Sequence, residues 1–170
     1  MPIQTAERRL TGRLADAAMR LAFRAGYRGA LLWWALRRPR HVGALVALWS
    51  DGRVLLVRSS YRSGIWELPG GGARAGESPA ATAVRECAEE IGLRLDPAAL
   101  RLAGSVESTW EKRPETIHIF EAALASEPLV TLDDREIVEA EFLTAAEALR
   151  HRLPPHLRAY LEAMVDPVRP

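Results

Sequence analysis

Residues 70–92 constrain the fold of this chain most tightly. Gly70, Gly71 and Gly72 follow Pro69, and three consecutive glycines are expected to end the extended piece at residues 65–68 without continuing it as strand or helix. Ser78 and Pro79 then form an N-cap and first-turn pair, and Gly92 stands where a left-handed C-terminal cap is needed, so the spacing predicts a helix over residues 78–91. Glu86, Glu89 and Glu90 fall on it at i, i+3 and i+4 and share a face, while Ala80, Val84, Cys87 and Ile91 form the opposite, core-facing stripe. Like charges at this spacing destabilise an exposed helix by about 0.2–0.5 kcal/mol per pair, a cost that folding does not require. A solvated acidic face is the plain reading. Beside a Gly-rich turn, however, oxygen ligands in this pattern suit hard cations such as Mg²⁺ or Mn²⁺.

The flanking segments set the fold class. Residues 42–49 and 53–57 are aliphatic runs joined through Ser50, Asp51 and Gly52, and the Asp-Gly pair predicts a buried hairpin. Further strands are expected at residues 102–107, 116–123 and 137–143. Thr144 with Glu147 makes a capping box for a short helix, and a last helix follows Pro155 with Leu157, Leu161 and Met164 facing inward. Strands interspersed with helices from about residue 41 indicate a layered α/β domain. With 48% hydrophobic and 26% charged residues among 170, disorder and coiled coil are excluded. One cysteine, Cys87, forbids an internal disulfide, and without a Cys/His cluster structural zinc is excluded too, which fits a reducing cytoplasm.

The residues from Gly71 onward, five positions to Glu77, seven more to Arg85, then Glu86, Cys87, Ala88, Glu89, Glu90, Ile91, Gly92 and Leu93, resemble the box of the Nudix hydrolases, G-x5-E-x7-R-E-U-x-E-E-x-G-U, at every fixed position. Cys87 departs softly from the usual aliphatic residue. The resemblance implies an α/β/α sandwich with a mixed sheet and hydrolysis of a nucleoside diphosphate linked to another moiety. It implies that Glu89 and Glu90 bind Mg²⁺ or Mn²⁺, joined by Glu86 and the Gly70 carbonyl, and that Arg85 and Glu77 hold loop and helix together. Read from the helix alone, Arg85 is an ion-pair partner for Glu89 four residues on.

Pyrophosphate chemistry agrees with such parts, because cations must offset the phosphate charge and a carboxylate can accept the proton of the attacking water. Glu86 is the leading candidate base, with Glu136, Glu139 and Glu141 near the final strand as rivals. Arg58 and Arg62 are candidate phosphate contacts, and Tyr61 and Trp110 candidate stacking residues. The family's proline about sixteen residues past the box, associated with ADP-ribose, is absent near Thr109, and no coenzyme A signature stands upstream. A noncatalytic nucleotide-binding regulator, or nonhydrolytic chemistry on the same scaffold, is the competing reading.

Residues 1–40 are a separate expectation, an amphipathic helical extension ahead of a domain spanning residues 41–170. They carry nine arginines against Glu7 and Asp16, and the sign of the charge reverses near Arg40. A helix over residues 6–36 is expected to bury Leu10, Leu14, Ala17, Leu21, Ala25 and Leu32, to kink or split at Gly26 and Gly29, and to stop at Arg37, Arg38 and Pro39. No secretory signal is seen, and the apolar run at residues 30–36 falls far short of the roughly 20 residues that span a bilayer. Packing on the following domain or on a second subunit, as in a homodimer, explains the stripe without lipid. Trp33 and Trp34 among arginines also suit a membrane surface, and basic charge alone would give only nonspecific nucleic-acid affinity.

Overall fold

The computed structural model describes residues 10–37, 40–62, 64–111, 113–132 and 135–165, and for residues 10–15 the backbone alone. The expected hairpin forms. β1 (His41–Ser50) turns through Asp51 and Gly52, both at positive φ (47° and 74°), into β2 (Arg53–Ser59), with Trp49 opposite Val54. Side chains alternate along both strands. Ala44, Val46, Leu48, Leu55 and Val57 lie in the core on one side of the sheet, and Ala47, Val54 and Leu56 in the core on the other.

The three glycines depart from expectation. Rather than ending the strand pattern they make one, β3 (Gly70–Gly72), antiparallel to β1 with Gly72 opposite Gly43 and Gly70 opposite Leu45. Close approach is the reason. A Cβ at Gly70 would collide with the Ala44 carbonyl oxygen, one at Gly71 would lie 2.6 Å from a Glu86 carboxylate oxygen, and one at Gly72 would strike the His41 ring. Gly70 also holds φ at 145°, which L side chains rarely adopt.

β4 (Arg101–Ser108), β5 (Glu115–Ala123) and β6 (Ile137–Thr144) complete a sheet ordered β4-β5-β1-β2-β6, with β3 beside β1. β1 and β5 run parallel and the other pairs antiparallel, so the sheet is mixed. One face is covered by α2 (Pro79–Ile91) through Ala83, Cys87 and Ile91. The other is covered by α3 (Ala145–Ala148), with its Thr144–Glu147 capping box, and α4 (Pro155–Val165), through Ala148, Leu157 and Leu161. This is the expected α/β/α sandwich.

Three packing expectations are corrected. On α2 the buried set is Thr82, Ala83, Cys87, Glu90 and Ile91, while Ala80 and Val84 are half-buried, so Glu90 turns inward rather than standing on an open ridge. On α4 Met164 is exposed, since Leu157 and Leu161 already fill the contact. The N-terminal α1 (Leu10–Arg37) runs unbroken through Gly26 and Gly29. Its Ala17, Leu21, Ala25 and Leu32 face outward, Leu21 at 67% exposure and Leu32 at 66%. Asp16 is buried instead, and Arg20, Phe23, Tyr27, Ala30, Leu31 and Trp34 are half-buried. Aromatic rings and a phenol find cationic and carboxylate partners on the domain that aliphatic side chains cannot use. Residues 6–9, the side chains of Leu10 and Leu14, and the stop at Arg38 and Pro39 lie outside the described residues. Among the described residues no helix is long and apolar enough to cross a membrane.

The Gly70 crossing yields a stability prediction. Gly70→Ala forces Cβ against the β1 backbone at a φ that disfavours it, and a loss of at least about 2 kcal/mol is expected in urea denaturation.

Candidate active site

The site is built on the two ends of α2. Ser78 caps its start by accepting from the Ala81 N–H (3.3 Å), Pro79 occupies the first turn, and Gly92 at φ 69° closes its end. Residues 73–77 then fold back on the helix. The Arg74 N–H and the Thr82 hydroxyl both donate to Glu77 Oε2, at 2.9 and 3.0 Å. Arg85 joins strand, loop and helix. Its Nε donates to Glu77 Oε1 (2.8 Å), its Nη2 to Glu77 Oε2 (2.9 Å) and the Gly72 carbonyl (3.0 Å), and its Nη1 to Glu86 Oε1 (2.7 Å) and Glu89 Oε2 (3.1 Å). These bonds, the Arg85 pair first and the Arg74 N–H next, pull the Glu77 carboxyl down to about 2.

The three glutamates of the ridge differ in exposure. Glu89 is exposed and shared between Arg85 and Arg74. Glu86 is half-buried against Gly71, and burial raises its carboxyl despite Arg85. Glu90 is 8% exposed, with Oε2 accepting from the Gly70 N–H at 2.9 Å, and burial pushes it well above the carboxylate range. Glu67, Glu86 and Glu136 raise it further. All of these groups line one cavity of about 780 Å³, the size of a ligand cleft.

The wall adjoining this ridge is a chain of buried charges. Arg62 pairs with both Glu67 and Glu111, and Arg113 donates to Glu111 and Glu115, each at 3.1 Å. Burial raises Glu67 and Glu115 and lowers His41, while it depresses His156 to about 4. α1 closes the cavity over them. The Tyr27 hydroxyl donates to Glu111 Oε1 (3.0 Å), the Arg113 guanidinium lies 3.7 Å from the Trp34 ring centre, and the Arg62 guanidinium lies 5.5 Å from the ring centres of Tyr27 and Tyr61. Arg24 Nε donates to the Ser60 carbonyl (2.8 Å), and Arg135 pairs with Asp16.

Of the residues singled out from sequence, Gly70, Arg85, Glu86, Glu89 and Glu90 come together on this cavity, as do Tyr61, Arg62, Trp110 and Glu136. Tyr61 donates to Glu136 at 3.0 Å. Arg58 does not join them. It pairs with Glu139 across β2 and β6, and with Glu141 this pair stands at the far edge of the sheet, outside the cavity lining. Sequence reasoning missed Tyr27, His41, Glu67, Glu111, Arg113 and Glu115 as parts of the site. No local signal marked them, since Glu111 stands in a turn and Arg113 in a bend, and only Glu115 lies in β5.

The donor set suits a divalent cation. A buried Glu90 bonds the Gly70 amide through Oε2, while its Oε1 has no hydrogen-bond partner among the described residues. The neighbouring carboxylates of Glu86 and Glu136 repel its charge, and a bound cation would relieve that repulsion. Among the described residues no three acidic, histidine or cysteine side chains converge as a ready-made ligand set, because Arg85 draws Glu86 and Glu89 toward itself.

Comparison with known proteins follows the same outline. The NUDIX domain family model matches residues 37–164. The methanol dehydrogenase activator of Bacillus methanolicus is 30% identical over 119 residues, a match covering 66% of this chain and 63% of that protein. This chain thus matches less than two thirds of that relative's length. Among solved structures, the MutT protein from Methanosarcina mazei Go1 superposes with a TM-score of 0.65 at 24% identity, covering 77% of this chain and 96% of that one. The dihydroneopterin triphosphate pyrophosphohydrolase of E. coli does so with a TM-score of 0.63 at 22% identity, covering 75% and 96%. At these identities both likenesses are of fold.

The Arg85–Glu77 clamp predicts a pH signature. A carboxyl depressed by folding contributes stability that is full above its ordinary value of 4.5 and fades as pH falls to about 2. Glu77→Gln should therefore melt below the wild type at neutral pH, and the gap should close between pH 4.5 and 2 in thermal melts.

Proposed function

The chain belongs to the NUDIX family, and we propose that it hydrolyses a diphosphate linkage in a small substrate derived from a nucleoside diphosphate, with Mg²⁺ or Mn²⁺. In this reading residues 41–170 are the hydrolase domain and residues 1–40 an appended helix. The observation that carries it is the buried Glu90 on the wall of a ligand-sized cavity, bonded to the Gly70 amide and crowded by further carboxylates.

Members of the family generally employ a divalent cation. Glu86, Glu89, Glu90 and the Gly70 carbonyl would hold it here, and when bound it supplies positive charge against the phosphate oxygens and activates water. The chain's own groups do the rest. Glu86 accepts a proton from the attacking water as the water oxygen bonds to phosphorus, and the bridging P–O bond breaks toward the departing phosphate. Arg85 keeps Glu86 and Glu89 in place through Nη1. Glu136, on the same cavity and held by Tyr61, is the rival base. Tyr61, Arg62 and Trp110 are available to substrate on the same lining, whereas Arg58, Glu139 and Glu141 are not.

A second reading, a nucleotide-binding regulator without turnover, draws on the activator name of the 30% identical relative. The intact glutamate ridge favours catalysis instead. Glu89→Gln and Glu90→Gln should each lower the rate at which the two phosphomonoester products form about 10²–10⁴-fold with an unchanged circular dichroism spectrum. Chelation of the metal should stop turnover in the wild type. Full activity in both variants would overturn the proposal.

A further inference from the structure

The leucines of α1 that find no place on the domain form a surface of their own. At about 3.6 residues per turn, Leu21, Ala25, Gly29, Leu32, Trp33 and Leu36 fall within about one third of the helix circumference. All six are exposed, with Trp33 at 53% and Leu36 at 76% beside the leucines already described. The strip runs about 22 Å along the helix axis. The two neighbouring tryptophans part here, since Trp34 lies on the Arg113 guanidinium while Trp33 turns outward. Single exposed leucines are ordinary, whereas a contiguous apolar strip marks a contact surface.

Charge decides what the strip can meet. α1 holds five arginines and a single acid, Asp16, which is buried and paired with Arg135 on the domain. Arg28 borders the strip on one edge and Arg37 on the other, and neither guanidinium has a partner among the described residues. A second copy meeting the strip face to face would bring its own arginines alongside, with no acid on either outer face to offset them. A bilayer with anionic headgroups satisfies both demands, taking apolar side chains below and guanidinium groups at its phosphates. Residues 41–170 carry more acidic than basic side chains, so an anionic surface attracts the helix and repels the domain behind it. Because no described helix is long and apolar enough to cross a membrane, the contact is with its surface.

We propose that α1 holds this chain on the surface of an anionic lipid bilayer. Leu21, Leu32, Trp33 and Leu36 sit at the boundary of headgroups and acyl chains, and Arg28 and Arg37 lie on lipid phosphates. The opposite face of the helix keeps its contacts to the domain through Tyr27 and Trp34, so docking requires no change of fold. The contact is independent of whatever the cavity turns over.

The test is flotation of the full chain on a density gradient with vesicles of phosphatidylcholine alone or mixed equally with phosphatidylglycerol. The wild type should partition onto the anionic vesicles at least about fivefold more strongly than onto the neutral ones, and about 0.5 M salt should erase most of that margin. Combining Leu32→Gln, Trp33→Gln and Leu36→Gln, all at exposed positions, should cut partitioning at least about tenfold. Leu129→Gln, at a 93% exposed position outside α1, should leave it unchanged. Arg28→Gln with Arg37→Gln should remove the preference for anionic vesicles, and this pair carries the test should the triple variant fail to fold. Absence of flotation, or equal flotation on both vesicles, would overturn the proposal. So would anionic flotation that the triple variant keeps, which is the behaviour of a purely electrostatic surface for nucleic acid. Sedimentation velocity without lipid should show a monomer, and a dimer that the triple variant breaks would give the strip to a second copy instead.

Discussion

Arg85 reaches Glu77 in the loop, the Gly72 carbonyl on β3, and Glu86 and Glu89 on its own helix. Strand, loop and helix are separate pieces of chain, and this guanidinium is the group that sets their mutual distance. Ala83, Cys87 and Ile91 fix the rotation of α2 by entering the core, so the acidic residues point where the apolar ones allow. Apolar burial supplies the orientation and ionic bonds supply the spacing. A lysine at position 85 would keep the charge and lose the planar fork that serves three elements at once.

The second constraint is close approach. β3 lies against β1 only because Gly70, Gly71 and Gly72 have no side chains, and the space they leave is taken by the Ala44 carbonyl, the Glu86 carboxylate and the His41 ring. That brings the Gly70 amide to Glu90 and gives a buried carboxylate one fixed bond. Across the cavity Arg62 and Arg113 thread between Glu67, Glu111 and Glu115, and the aromatic rings of α1 cover both cations. The extension is thus held by interactions with charged groups that the domain already needs to neutralise.

Much of this was legible in the sequence. The caps of α2 at Ser78 and Gly92, the Asp51–Gly52 turn and the Thr144–Glu147 box are local chemistry, and local chemistry is written in neighbouring residues. The helical spacing of Glu86, Glu89 and Glu90 was legible for the same reason, but the inward turn of Glu90 was not. What failed depended on distant partners. Gly70–Gly72 read as a break because their pairing with β1 is invisible locally. The leucines of α1 read as its buried face because helix periodicity reports apolarity, whereas the partner surface offered Arg62, Arg113 and Glu111 and selected Tyr27 and Trp34. Arg58 read as a phosphate contact until its register opposite Glu139 placed it at the far edge of the sheet.

The parallel pairing of β1 with β5 sets His41 beside Glu115, so the hairpin, β3 and all of α2 lie inside the loop that this contact closes. Such a loop forms slowly, because its entropy is lost before the contact rewards it. The hairpin and α2, whose bonds are short in sequence, are able to form first and wait. The cleft needs both of its walls, so a chain in which this contact has not formed carries the glutamates without the chamber that gives them a task.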